Sequence, residues 1–393
     1  MQHLRLNTKI SCYRMLTAQE ITTLGSPDAR VSPSYKAFIE AIKTDATRKD
    51  YLKGLKYFME FCRITPGDYE SLLQNNDNKL IQARIIDFII YCKNVRELSP
   101  AAIEMYVFAI KKFYVQNDIV TLNWSKINSY KPERCRVVDD VAYTREQIAA
   151  MISVAGDLRD KAILLLLAST GMRIGAVSKL RLKDIQSIEI TGDPLFQITV
   201  YKKAKQQYIC YTTNEAHNAI SQYLEYRSRC GEILTPESFV FRKTFDRRSP
   251  LEVSIVKPIT VQVISWALLQ MLIKADIRQP QKILKGQHNI PKTGLMISHG
   301  FRKFVISNFI RAKLEFNARE RLVGHKTSRG LDTSYDRRPE EEILQEYCKA
   351  IPFITISNEA RLKQEIHEMK EVRKADLEEL RAEMEALKQA VMK

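Results

Sequence analysis

Between Ile297 and Tyr335 the chain reads ISHGFRKFVISNFI, then RERLVGHKT, then DTSYDRR. His299, Arg302, His325 and Tyr335 fall within these 39 residues. A further arginine, Arg173 in STGMRIG, stands 126 residues before His299. Guanidinium groups keep their charge and bind phosphate oxygens through a planar fork. Imidazoles move protons near neutral pH, and a phenol can serve as a nucleophile.

Local patterns say how these segments are built. DLRDKAILLLLASTGMRIGAVSKLRLKDI predicts a buried helix, a glycine turn carrying Arg173, and a second helix. With Ser298 as cap, His299 and Arg302 lie at i and i+3 on one face near a helix N-terminus, where phosphate is favoured. FQITVYKKAKQQYICYTT predicts a hairpin with strands from Phe196 to about Lys202 and from about Tyr208 to Thr213. On such a strand Lys202 and Lys203 face opposite ways. Thr144 followed by Gln147 is a capping-box signature. Helices follow at NEAHNAISQYLEYRSRC and ITVQVISWALLQMLIKADI, while 242–258 and 278–297 read as irregular and basic.

The remainder divides by composition. Residues 1–32 read as a loosely ordered arm. Residues 33–125 read as a helical domain. Tyr51, Leu55, Phe58 and Cys62 share one helix face; Ile103, Val107, Ile110 and Tyr114 share another, behind Ser99 as N-cap and Pro100 at the first helical position. KLIQARIIDFIIYCK supplies a third helix. Lys49, Lys53, Lys56, Lys111 and Lys112, among these apolar positions, are candidate phosphate clamps. Residues 126–140 read as a linker, 141–358 as the catalytic domain, and 359–393 as a charged C-terminal helix. In the last, Leu377, Leu380, Met384, Leu387 and Val391 form a short coiled-coil seam whose register breaks at Arg373. That helix suits self-association or packing on its own domain.

Net charge is +16. The first 358 residues hold all of it, with 54 basic against 37 acidic side chains, so the basic surface belongs to the body and suggests a polyanionic partner. The seven cysteines are scattered, without zinc-type spacing, as expected of reduced thiols. The longest apolar run, about Ala162 to Ala168, is far short of a membrane span, and the N-terminus lacks a signal core. A cytoplasmic protein is expected, with no cofactor, no metal, no membrane and no small-molecule substrate.

The order of these residues resembles the active site of the tyrosine recombinases, the phage-integrase family. The resemblance is specific over about 140–350 and weaker over 33–125, which resembles the core-binding domain of that family. It implies a mainly α fold with a small β-sheet (α+β) and a reaction that cuts and rejoins double-stranded DNA through a 3′-phosphotyrosine. Tyr335 would be the nucleophile, with Arg173, Arg302, His299 and His325 around the scissile phosphate. Lys203, with Lys205 as the alternative, would protonate the leaving 5′ oxygen. Four protomers would assemble on two DNA sites. The segment RPEEEILQEYCKAI resembles archaeal integrases in particular. Two positions depart from the family. Ala176 stands where an acid is usual, although Asp184 matches the acid closing that segment, and Tyr335 lies one residue further from His325 than is common. Tyr347 is the rival nucleophile. A type IB topoisomerase-like enzyme shares this chemistry, and a decayed integrase that only binds DNA is a third reading.

Overall fold

The computed structural model describes residues 32–359 apart from 75–76, 120, 134–140, 191, 280–295 and 326–337, together with residues 362 and 373. Tyr335, the N-terminal arm up to residue 31 and the C-terminal seam lie outside the described residues. The chain forms two compact units divided between Arg136 and Val137.

The first unit is helical: α1 (Pro33–Glu40), α2 (Asp45–Phe61), α3 (Asn78–Asn94), α4 (Pro100–Gln116) and α5 (Trp124–Ser129). Each starts at a side chain that accepts a backbone N–H: Ser32, Thr44, Asp77, Ser99 and Asn123. Such caps satisfy donors that the first turn leaves orphaned. Pro100 occupies the first turn of α4, where its missing N–H costs nothing. Leu55, Phe58, Ile85, Phe88, Ile110 and Phe113 are fully enclosed, each contributing about 1.5–3 kcal/mol relative to exposure. The unit continues past residue 125, because α5 buries Ile127 in the same core. Lys49, Lys53 and Lys111 are exposed, whereas Lys56 and Lys112 are half-buried.

The second unit is built around α7 (Leu158–Thr170), which follows α6 (Arg145–Ser153) and its Thr144–Gln147 capping box. Every residue of α7 from Ala162 to Thr170 is buried, so this helix needs neighbours on all sides. They are α6, α9 (Asn214–Arg229), α11 (Val261–Lys274), α12 (His299–Arg311) and α14 (Glu340–Ile354). Between α7 and α9 lie the short α8 (Ile174–Val177) and a three-stranded antiparallel sheet, β1 (Ile185–Ile190), β2 (Asp193–Val200) and β3 (Tyr208–Tyr211), in that spatial order. The first expected strand ends two residues early, at Val200. Tyr201 and Lys203 adopt left-handed backbone (φ 55° and 65°) and turn the chain away. β1 is an additional edge strand, paired Ile185 with Ile198 through Ile190 with Asp193.

Residues 230–259 hold little regular structure beyond α10 (Pro250–Ser254). A buried charge cluster ties them down. Arg227 pairs with Glu232 and donates to the carbonyls of Phe239 and Val240, both at 2.8 Å, and Arg242 pairs with Glu232 at 2.7 Å. The last helix of the site, α13 (Phe316–Val323), packs against β3 and α14. Among the described residues no helix is long and apolar enough to cross a membrane.

Candidate active site

Two helices of the second unit end in glycine turns, each delivering a predicted site residue. α7 stops at Gly171, left-handed at φ 59°, whose N–H bonds the Leu167 carbonyl at 3.0 Å. Arg173 follows two residues later, at the N-terminus of α8 with its side chain exposed. α13 stops at Gly324, φ 62°, in the double-bonded turn that glycine favours. The Gly324 N–H reaches the Arg321 carbonyl and the His325 N–H reaches the Glu320 carbonyl, both at 3.0 Å. A Cβ on Gly324 would also stand 2.4 Å from the Tyr208 ring, so backbone and packing both require glycine here.

Arg302 joins the two turns. Its guanidinium donates from Nη1 to the Gly171 carbonyl at 2.9 Å and from Nη2 to the Val323 carbonyl at 2.5 Å. The side chain is only 3% exposed. One residue of α12 thus holds in place the segments bearing Arg173 and His325. Burial, and after it the like charge of Arg173, lower the proton affinity of Arg302 below the usual arginine value. Two guanidinium groups within electrostatic reach of each other, one desolvated, make a place where an anion is favoured. Ser298 occupies the N-cap of α12 without a side-chain cap bond, and His299 is exposed one turn before Arg302.

His325 is half-buried, its Nδ1 2.9 Å from Glu320 Oε2, and Arg319 Nε is 3.4 Å from the other carboxylate oxygen. The sequence carried a signal for this pair that went unread. Glycine after a helix folds the next residue back over the side chain five positions earlier. Tyr208, at the start of β3, was also missed. Its hydroxyl is buried beside Arg302 without a hydrogen-bond partner of good geometry among the described residues. Burial raises its pKa far above the ordinary phenol value, against the opposing pull of Arg302 and Arg173.

Lys203 lies in the β2–β3 turn, and Lys202 falls there too because the strand ends at Val200, so strand alternation does not decide between them. The Lys203 N–H bonds Gln207 Oε1 at 2.7 Å, and its side chain is exposed. It lines a cleft of about 500 Å³ with Ala176, Lys179, Arg181 and Lys183. Lys202 reaches the Lys183 carbonyl at 3.5 Å. Lys205 is exposed and does not line the cleft. Tyr347 is fully buried, donates to the Ser169 carbonyl at 3.1 Å, and has a phenol pKa raised far above normal by burial. It is a core residue that no phosphate reaches in this fold. Among the described residues no group of three or more His, Cys, Asp or Glu is placed to hold a metal ion.

A family model described as the phage integrase family matches residues 143–341, just over half of the chain. The tyrosine recombinase XerC of Rickettsia canadensis (strain McKiel) is 24% identical over 326 residues, covering 77% of this chain and 89% of that one. XerC of Rickettsia peacockii (strain Rustic) is 28% identical over 213 residues, 48% of this chain and 66% of that one. Both relatives are bacterial and lend no support to the archaeal leaning of RPEEEILQEYCKAI. Among solved structures, a lambda integrase tetramer bound to a Holliday junction is similar at a TM-score of 0.49 and 11% identity, over 81% of each chain.

Proposed function

The chain belongs to the phage integrase family and is a site-specific DNA recombinase; from that premise we propose that it joins DNA through a 3′-phosphotyrosine formed on Tyr335. The phenolic oxygen attacks the scissile phosphorus, an oxygen–phosphorus bond forms, and the bond to the 5′ oxygen breaks. Bond energy is kept in the phosphotyrosine, so a second DNA 5′ hydroxyl reverses the step on a new partner. Arg173 and Arg302 hold the nonbridging oxygens, where charge grows. A guanidinium carries five N–H donors, so Arg302 can hold two carbonyls and still offer donors to phosphate. His299 and His325 complete the cradle, an imidazole there takes the proton that the phenol gives up, and Lys203 gives a proton to the leaving oxygen.

The observation that carries this reading is the Arg302 bridge, which ties the turns of Arg173 and His325 to one buried cation. Residues 33–129 serve as a clamp on double-stranded DNA, and four protomers work on two sites. Such a protein works where the DNA is, inside the cell. The archaeal leaning rests on RPEEEILQEYCKAI alone.

The test is a nicked suicide duplex carrying the attachment site. The protein should form a covalent adduct with it, and Tyr335→Phe should abolish the adduct while leaving binding intact. An adduct that survives this substitution moves the nucleophile elsewhere. Relaxation of supercoils by a lone protomer on arbitrary DNA favours the topoisomerase-like reading. Binding without an adduct favours the decayed one, for which Ala176 is the supporting departure.

A further inference from the structure

We propose that Glu320 is a positioning residue for His325, holding Nδ1 so that Nε2 is the nitrogen that meets the scissile phosphate. The inference rests on the assignment of His325 to that phosphate.

The turn dictates the pairing. Because Gly324 is left-handed and the His325 N–H bonds the Glu320 carbonyl, the chain doubles back over the last turn of α13. Glu320 and His325 are thereby stacked, and their side chains meet at 2.9 Å. An ionised carboxylate has acceptors only, so the shared proton belongs to Nδ1. Without that bond an imidazole ring rotates between two broad orientations and presents either nitrogen. With it, the ring has one orientation: neutral, it offers Nε2 as a proton acceptor, and once protonated it donates from Nε2 to phosphate.

Glu320 is itself held. Arg319 engages its other oxygen, and Arg302 on α12 lies within electrostatic reach. These cations offset a negative charge that would otherwise repel DNA. A pair whose imidazole edge still meets water contributes less to folding than a fully buried one. The His325 side chain is 34% exposed and that of Glu320 15%. The contact therefore earns its place through orientation rather than stability.

A double-mutant cycle on the nicked suicide duplex tests this, with saturating protein in a single turnover. Glu320→Ala should slow adduct formation roughly 10²-fold, the lower end for a positioned proton-transfer group, while duplex affinity holds. Glu320→Gln, whose amide oxygen still accepts from Nδ1–H, should recover most of the rate. In a His325→Ala background, Glu320→Ala should add nothing. Equal slowing in both backgrounds would overturn the proposal, as would an unchanged rate in the single variant. Nitrogen-15 NMR of the His325 ring at about pH 8, where a free imidazole is neutral, gives a readout independent of catalysis. Nδ1–H in the unmodified protein, lost in Glu320→Ala, supports the positioning role, whereas a ring protonated at Nε2 alone refutes it. Should the unmodified protein form no adduct at all, the recombinase reading fails while the NMR arm still decides the inference.

Discussion

Arg173 and His325 stand on turns that one buried guanidinium ties together, whereas Lys203 stands on a turn held by its own backbone and Gln207. The first two turns are fixed to each other before any anion arrives, and preorganised donors are what stabilise a transition state most. The lysine side chain is in water, on a turn with two left-handed residues at its core. Its ammonium group is a point donor on a flexible stem. The turns that carry Arg173 and His325 are thus anchored on a buried side chain, while the turn that carries Lys203 is not. Each substitution below either breaks that contrast or sharpens it, from the largest expected effect on folding and cleavage together to the smallest.

Arg302→Ala should be the most damaging. It strands the buried carbonyls of Gly171 and Val323 without a donor, at about 1–3 kcal/mol each, and leaves a cavity besides. A loss on the order of 3–5 kcal/mol in denaturant unfolding is expected, with no adduct on the suicide duplex. Arg302→Lys should restore little of either, because a single ammonium cannot span both carbonyls in a planar fork. A melting curve unchanged by Arg302→Ala would mean that the two turns stand without the bridge.

The glycines come next and should differ from each other. Gly324→Ala meets the Tyr208 ring at 2.4 Å on top of its left-handed φ, whereas Gly171→Ala meets Val305 Cβ at 3.1 Å. Overpacking of the first kind costs about 1–3 kcal/mol beyond the backbone term. The second should cost about 1–2 kcal/mol in all. Gly324→Ala should also loosen the fold-back that seats His325, so its adduct yield should fall further than its stability. Equal costs at the two sites would show that the Tyr208 ring yields.

Much of this was legible in the chain. Ser99 with Pro100 and Thr144 with Gln147 fixed helix starts, because caps are local chemistry. The apolar run of α7 announced a buried helix. Three things were not legible. β1, IQSIEI, is a half-exposed edge strand without clean alternation, so no period marks it. The β2–β3 turn uses Tyr201 and Lys203 at positive φ, where a reader looks for glycine or asparagine. The Arg302 bridge spans contacts 131 and 21 residues apart, and HxxR says nothing about carbonyls that distant. Sequence named the cations and left out what holds them.

Lys203→Ala should leave unfolding within about 0.5 kcal/mol of the parent, as exposed positions do, yet slow strand cleavage about 10²–10⁴-fold. A duplex with sulfur in place of the leaving 5′ oxygen should restore the rate, since a thiolate leaves without being protonated. If rescue appears for Lys205→Ala instead, the cleft lining is a poor guide and the proton comes from nearer the tip of the turn.

Tyr208→Phe should have the smallest effect and tests where the rigid part of the site ends. The hydroxyl is buried next to Arg302 yet without a good hydrogen bond among the described residues. A buried polar group in that state costs folding energy, so removing it should leave stability equal or raise it by up to about 1 kcal/mol. The ring, which packs against Gly324, is retained. Cleavage should be unchanged if phosphate contacts end at the guanidinium groups. A fall in cleavage with stability intact would mean that the idle hydroxyl finds its partner only when DNA is bound. The preorganised half of the site would then extend from the two turns into the sheet.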